Sequence, residues 1–193
     1  AALGGEAGST LMVITGGTIS INAIGDGLDA NGELYMSGGS VTVSGPTTDR
    51  ESSVDFDRVF LQSGGSIIAA GSSGMLQAPS ETVGQSSVLM TYSSSIAAGT
   101  TVSLKESSGA VLAAYTPEKP FSAILFSLPA LTAGGSYSVE TGRSIDVAFT
   151  AAADTVWLNE SGVTEAAGMG GLGAPMGRGE RPDRLGGPPA GRL

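Results

Sequence analysis

Three segments of the chain repeat one pattern, and this repeat limits the possible folds more than any other feature. In each segment a short alternating stretch of apolar and polar residues leads to a pair of glycines, and a second alternating stretch follows. The segments are LMVITGGTISINA (11–23), ELYMSGGSVTVSG (33–45) and VFLQSGGSIIAAG (59–71). Alternation with a period of two predicts β-strands, and glycine permits a tight bend between two strands.

The glycine pairs begin at Gly16, Gly38 and Gly64, so the repeat is short and its period is nearly constant. A unit this short buries little apolar surface alone, whereas stacked units form a continuous core. The leucine-rich repeat has a similar period, but its Leu/Asn signature is missing here. We therefore expect an all-β protein in which residues 1–85 form a short right-handed parallel β-helix. A β-sandwich with glycine-rich hairpins is the alternative.

The rest of the chain changes character. Residues 86–150 contain short strand-like stretches separated by turn residues, which predicts an antiparallel β unit that caps the β-helix. Residues 151–167 are ambiguous, although Trp157, the only tryptophan, lies in a possible final strand. Residues 168–193 contain nine glycines and four prolines, a composition typical of a disordered or extended Gly/Pro/Arg-rich tail.

Composition excludes several classes of site. The chain has no histidine and no cysteine, so it has no Ser-His-Asp or Cys-His triad, no zinc or iron–sulfur site and no disulfide. A metal would have to be a hard cation bound by oxygen. The net charge of −9 disfavours nucleic acid, whose phosphates it would repel. No apolar stretch approaches the roughly 18 residues of a membrane span.

Two acidic positions keep the same distance from the glycine pairs of successive repeats. Asp29 lies nine residues before Gly38, and Asp55 lies nine residues before Gly64. Stacked coils would therefore place these carboxylates side by side, about 4.8 Å apart along the stack. Two residues further on, one repeat has an asparagine and the next an aspartate, both on the same side of an extended segment as the first pair.

Together with the aspartate of the preceding GDG turn, these positions predict an oxygen cluster that binds calcium. Calcium accepts six to eight oxygen ligands in flexible geometry, whereas magnesium requires stricter octahedral geometry. The simpler alternative is a set of solvated turn residues that cap glycine-rich bends. The predicted metal ligands are Asp26, Asp29, Asn31, Asp55 and Asp57.

Paired carboxylates also hydrolyse glycosides, and a calcium-dependent lyase would need similar groups. Few aromatic residues lie near the acids to form a sugar platform, namely Tyr35, Phe56 and Phe60. We therefore expect no enzyme activity. Serine and threonine at outward strand positions, such as Ser20 and Thr42, offer a hydroxyl-rich face on which a polysaccharide could lie.

GGTISINAIGDGLDANGELYMSGGSVTVSGP (16–46), followed by AAGSSGMLQAP (69–79), resembles bacterial secreted proteins described as carbohydrate-binding domain-containing. The resemblance covers roughly residues 10–145. It implies a fold similar to the pectate lyases and an extracellular or cell-surface location. It also implies binding of plant-type polysaccharides without cleavage, and calcium on the aspartates of GDGLDANG and on Asp55 and Asp57.

Members of that family usually carry further coils before this point, so an uncapped N-terminal β-helix end is expected here. Such an end suggests a homo-oligomer, because head-to-tail stacking of copies builds an open filament. Residues 1–65 contain eight acidic and two basic side chains, and residues 178–193 contain four arginines and two acids. The basic tail could therefore hold the acidic coils of the next copy. A calcium-stabilised polysaccharide-binding module is the main expectation, and an extracellular filament subunit is the alternative.

Overall fold

The computed structural model of the protein describes residues 10–142 and 144–166. These residues form strands, turns and bends without a helix, which confirms the all-β class. No helix that could cross a membrane is therefore found in this part of the chain. The predicted tail, 168–193, lies outside the described residues.

Fourteen strands are described, and together they form three sheets. The strands are β1 (Thr10–Asn22), β2 (Leu28–Ala30), β3 (Gly32–Ser44), β4 (Val54–Phe56), β5 (Val59–Gly71), β6 (Glu81–Thr82), β7 (Ser86–Ile96), β8 (Val102–Glu106), β9 (Val111–Tyr115), β10 (Phe121–Leu128), β11 (Ser136–Thr141), β12 (Ser144–Thr150), β13 (Thr155–Asn159) and β14 (Gly162–Thr164).

The three repeats are the long strands β1, β3 and β5, which pair in parallel and in the predicted order. Equivalent positions of the repeats lie side by side, so apolar side chains of the same position form columns. One column runs from Ile19 to Val41 and Ile67. Val41 and Ile67 are fully buried, whereas Ile19 is only partly buried. The period-two pattern of the sequence therefore has one face in the core.

The glycine pairs interrupt the regular pairing of all three strands in the same place. The second glycine of each pair has a positive φ, which is 85° at Gly17, 91° at Gly39 and 78° at Gly65. Glycine adopts this conformation without steric cost. A shared left-handed residue gives each strand the same local bend, so successive strands continue to stack beyond it.

The short strands β2 and β4 form a second parallel pair beside the long strands. Their register follows that of β3 and β5, because each short strand lies just before its long strand in the chain. The repeats therefore stack through two separate parallel ladders.

The largest sheet is mixed, so a parallel β-helix is not shown for the sheet as a whole. Its strand order is β1-β3-β5-β10-β7-β13-β14. Strand β10 pairs antiparallel with both β5 and β7, whereas β13 pairs parallel with β7. Residues 86–150 are thus divided between this sheet and an antiparallel four-stranded sheet of order β12-β11-β8-β9. Trp157 lies in β13.

Two apolar cores follow from this division. One fills the space inside the repeats and includes Leu34, Val54 and Phe60. The other lies between the two larger sheets and includes Phe126 and Leu104. Strand β10 serves both cores, because Leu125 belongs to the first and Phe126 to the second. Alternate side chains of a strand point to opposite faces, so this one strand joins the repeats to the antiparallel sheet.

Candidate functional site

Asp29 and Asp55 are direct partners in the parallel pairing of β2 with β4. The preceding residues, Leu28 and Val54, are buried apolar partners in the same ladder. Because side chains alternate along a strand, burial of Leu28 and Val54 turns both carboxylates outward. Asp29 is exposed and Asp55 is half-buried. The repeat pattern thus sets two carboxylates on one rung.

The next two predicted ligands lie at the ends of the same short strands. The amide nitrogen of Asn31 is 3.5 Å from Oδ1 of Asp29. Asp57 donates its backbone N–H to the carbonyl of Ala30 at 3.3 Å, which sets it beside the turn that contains Asn31. Both side chains are exposed. These two residues extend the polar rung formed by Asp29 and Asp55.

Asp26 lies at the other end of the short ladder and pairs with a residue that the repeat pattern did not indicate. Its Oδ1 accepts a hydrogen bond from the backbone N–H of Ser52 at 2.7 Å. The negative charge of Asp26 is the main cause that raises the pKa of the neighbouring Glu51, and a hydrogen bond from the protonated Glu51 carboxyl to Asp26 acts in the same direction. A second carboxylate pair, Asp26 with Glu51, therefore lies near the first.

Electrostatics links the two pairs. The pKa of Asp55 is raised first by its partial burial and then by the negative charges of Asp26, Asp29 and Asp57. A hydrogen bond from the backbone of Phe56 acts in the opposite direction. Neighbouring like charges favour the protonated form of a carboxyl. We call the five acids Asp26, Asp29, Glu51, Asp55 and Asp57 the acidic ladder.

Gln77, which follows the third repeat in the chain, contacts the acidic ladder at Asp55. Its side-chain amide donates to Oδ1 of Asp55 at 3.1 Å, and its carbonyl oxygen accepts the backbone N–H of Phe56 at 2.9 Å. One side chain thus provides both a donor and an acceptor where a further strand would provide backbone groups. The step along the chain from Asp55 to Gln77 equals the step between the first two glycine pairs.

The acids do not converge on one point. Within the described ranges no group of three or more acidic side chains is close enough together to hold a metal ion. The basic residue nearest in sequence to Asp57 does not neutralise the ladder directly, because Arg58 forms its ion pair with Glu33 at 3.5 Å. The chemistry of the donor set still fits a hard cation. Its groups are carboxylate and amide oxygens, and two of the carboxyls have raised pKa values.

A cleft of about 330 Å³ opens between the turns of the repeats and the antiparallel part of the fold. Hydroxyl groups line most of it, together with one carboxylate, that of Asp49. Tyr92 and Phe121 form its floor but are almost fully buried against each other, with ring centroids 5.8 Å apart. The hydroxyl-bearing residues that line the cleft are Thr47, Ser72, Ser73, Tyr92, Ser93, Ser94, Ser95 and Ser122.

One segment connects the cleft with the acidic ladder. Ser72, in the lining of the cleft, donates its hydroxyl to the backbone carbonyl of Glu51 at 3.2 Å. Asp49 faces the cleft two residues earlier in the same segment. A change at Glu51 therefore reaches the cleft through one hydrogen bond and a short stretch of backbone.

The sequence predicted the side-by-side placement of Asp29 and Asp55 but missed Glu51, Gln77 and the cleft. The step from Asp26 to Ser52, the neighbour of Glu51, equals the spacing of the second and third glycine pairs. The step from Asp55 to Gln77 equals the spacing of the first and second pairs. The register thus indicated Ser52, the neighbour of Glu51, but no glycine pair lies nine residues after Gln77 to mark its position. The cleft had no such signal, since its lining comes from four distant segments.

Comparison with protein-family models, with curated proteins and with solved structures finds no match to this chain. The acidic ladder and the cleft are therefore the features of the molecule that bear on its function.

Proposed function

We propose that this chain is a non-catalytic, calcium-stabilised, extracellular module that binds polysaccharide. We also infer that the stacked repeats are coils of a short right-handed parallel β-helix. The observation that carries the proposal is the pairing of Asp29 with Asp55 on one rung of the β2–β4 ladder. Two carboxylates held together by backbone pairing repel each other unless a cation or a proton neutralises them.

Calcium is the cation that suits this arrangement. The carboxylates of Asp29 and Asp55 would provide the first ligands, and Asn31 and Asp57 would provide further oxygens. Calcium tolerates a spread-out ligand set because it also takes backbone carbonyls and water at 2.3–2.6 Å. In this role the ion supplies positive charge that holds two repeats together. The residues of the chain supply the register that brings the carboxylates to it.

The hydroxyl-lined cleft supports polysaccharide as the partner. Sugars present several hydroxyl groups in a small volume, and serine hydroxyls both donate and accept hydrogen bonds. A polymer that carries carboxylates would gain a second point of contact, because calcium on the ladder would offset the negative charge of the protein. The two sites are connected through Ser72 and Glu51.

Catalysis has less support from the same residues. A glycosidase needs a sugar subsite beside its carboxylates. Phe56 packs edge-on against Phe60, with centroids 5.9 Å apart, and the hydroxyl of Tyr35 is hydrogen-bonded to Glu33 at 3.0 Å. All three aromatic residues near the acids are thus engaged in contacts with other residues of the chain.

The filament alternative also has less support. Head-to-tail stacking needs a free edge on the last repeat strand to receive β1 of the next copy. In the described residues that edge of β5 pairs with β10 along one part and with β6 along another. A second copy would have to displace both strands.

Calcium dependence is tested by thermal unfolding of the whole chain after EGTA treatment, with and without added calcium. We expect calcium to raise the Tm of the wild type but not of the Asp29→Asn/Asp55→Asn variant. Saturating a native-state site a hundredfold above its Kd stabilises by about 2.7 kcal/mol. Asp154→Asn, an exposed acid outside the ladder, is the matched control and should respond as the wild type does. Equal responses of wild type and double variant would remove calcium from the proposal.

Polysaccharide binding is tested separately by affinity gel electrophoresis with neutral and carboxylated polymers. We expect retardation of the wild type, loss of retardation in Ser94→Tyr, which fills the cleft, and no such loss in Ser136→Tyr, an exposed serine of β11. Chelation should weaken binding of the carboxylated polymer more than binding of the neutral one. Migration of the wild type that no polymer alters would refute the glycan part of the proposal and leave the calcium part standing.

A further inference from the structure

Strand β1 is the outermost strand of the largest sheet, and no strand in the described residues pairs with its outer edge. Edge strands commonly carry lysine, proline or other features that prevent further pairing. Residues 10–22 contain no charged residue and no proline over 13 positions. The opposite edge of the sheet is β14, which is only three residues long. One edge is therefore short and the other is long and uncharged.

Gly16 has no steric reason to be glycine in this fold. At Gly38 an added Cβ would lie 2.5 Å from the carbonyl oxygen of Thr15 in the preceding strand, and at Gly64 it would lie 2.6 Å from that of Ser37. Glycine is required at both positions because a neighbouring backbone passes close by. Gly16 occupies the equivalent position of β1, its φ is ordinary, and no described atom lies within 4 Å of its Cβ position. The position is suited to a backbone that passes beneath it.

The inward side chains of β1 are also incompletely buried. Ile21 aligns with Val43 and Ala69, and Met12 aligns with Leu34 and Phe60. The members from the second and third strands are buried completely or almost completely. Ile21 and Met12 are only partly buried. The apolar columns that end at Met12 and Ile21 therefore lack a covering neighbour on the outer side of β1.

We propose that the outer edge of β1 binds an extended peptide with the pattern of the same repeat, aligned in parallel. Such a strand would have alternating apolar residues on both sides of a Ser/Thr-Gly-Gly-Ser/Thr sequence. Its carbonyl before the glycines would lie beneath Gly16, as that of Thr15 lies beneath Gly38. Its apolar residues would cover Met12, Ile19 and Ile21. Backbone pairing along an open edge is a common mode of peptide recognition.

A second copy of the folded chain does not fit this role. Strand β3 is paired on both sides, and β5 is covered by β10 and β6. The one repeat strand of a second copy with a free edge in the described residues is β1 itself, which would meet β1 edge to edge. That contact does not reproduce the parallel register that places a carbonyl under Gly16.

The test uses the whole chain and a labelled synthetic peptide with the sequence of Gly32–Ser44, GELYMSGGSVTVS, extended by two lysines at each end. Fluorescence anisotropy measures binding, and hydrogen exchange measures protection of the β1 amides. We expect saturable binding and slower exchange in residues 10–22. Gly16→Val should weaken binding by about tenfold or more. Gly25→Val, whose nearest contact is 4.0 Å away from the Cβ position, is the matched control and should bind as the wild type does.

Three results would overturn the proposal. The first is no binding up to about 1 mM peptide, a concentration at which even a weak strand contact is detected. The second is equal binding of a peptide of the same composition in scrambled order, or equal binding by the Gly16→Val variant. The third is a dimer of the protein alone, seen by sedimentation, with β1 amides already protected. That result would assign the edge to a second copy.

Discussion

Asp29 lies directly opposite Asp55 in the parallel pairing of β2 with β4. Neighbouring strands are about 4.8 Å apart, so the backbone holds these two carboxylates together whatever their charge state. The cost of this arrangement depends on what neutralises them. Without a cation the negative charge of Asp29 disfavours the charged form of Asp55, whereas calcium or a proton on Asp55 removes this repulsion. Raising the pH should therefore lower the free energy of unfolding, whereas adding calcium should raise it.

Without calcium, the protein should become more stable as the pH falls through the raised folded-state pKa values of Asp55 and Glu51. The pKa values of Asp55 and Glu51 are raised above their usual values of 3.8 and 4.5. The native state therefore binds protons at pH values where the unfolded chain has released them. The stability contributed by this protonation is present at low pH and is lost as the pH rises through the folded-state pKa values.

Calorimetric Tm values across this pH range, for the wild type and for Asp55→Asn, isolate the contribution of the ladder from that of all other acids. We expect the difference between the two proteins to shrink at low pH, because protonation removes the charge that the variant lacks. Added calcium should abolish the gain of the wild type on acidification. Parallel curves in calcium-free buffer would show that Asp55 is not repelled by its neighbours.

Gln77 should stabilise the ladder through both ends of its amide. Gln77→Met keeps the length of the side chain but removes the donor to Asp55 and the acceptor for Phe56 N–H. We expect a loss of about 1–3 kcal/mol in the free energy of unfolding, because a partly buried backbone N–H is left without its partner. Urea unfolding of Gln77→Met, Asp55→Asn and the double variant measures the coupling. Strictly additive losses would mean that the carboxylate of Asp55 is not coupled to Gln77, which would leave the bond with Phe56 N–H as the source of the loss.

Counting in the sequence predicted the rung of Asp29 and Asp55 because both residues precede a glycine pair by the same number of residues. Parallel stacking preserves such a count from one repeat to the next. The same count does not find Gln77, because Ser86 and not a glycine pair lies nine residues after it. The side chain of Gln77 replaces the backbone of a strand that the third repeat does not form.

For the chain after the repeats, the sequence predicted short antiparallel strands but not which strands pair with each other. The insertion of β10 between β5 and β7 joins residues that are 52–60 positions apart on the β5 side and 25–42 positions apart on the β7 side. The short apolar segment FSAILFSL indicates a buried strand but not its neighbours. The cleft depends on that insertion, because β10 and β7 contribute part of its lining. Local patterns therefore indicated the ladder, whereas long-range pairing determined the cleft.

The repeat glycines should differ sharply in their response to alanine. Gly38→Ala places a methyl group 2.5 Å from the carbonyl oxygen of Thr15, and we expect overpacking to cost about 1–3 kcal/mol. Gly16→Ala meets no described atom and should be neutral or stabilising by about 0.5 kcal/mol, since alanine loses less entropy on folding than glycine. Denaturant unfolding of the two variants decides the matter. Equal losses would mean that the stacked backbones are not in close contact at the glycine pairs.

Ser127 should be the most sensitive polar residue of the core. Its hydroxyl donates to Oε1 of Gln62 at 2.7 Å and accepts from Nε2 of Gln85 at 3.1 Å. Ser127 and Gln62 are fully buried. Ser127→Ala leaves both amides with an unsatisfied group, so we expect a loss of about 1–3 kcal/mol by urea unfolding. Ser138→Ala, half-buried on β11, should change stability by less than about 0.5 kcal/mol. If the two variants lose equal stability, the network contributes nothing beyond the burial of a small side chain.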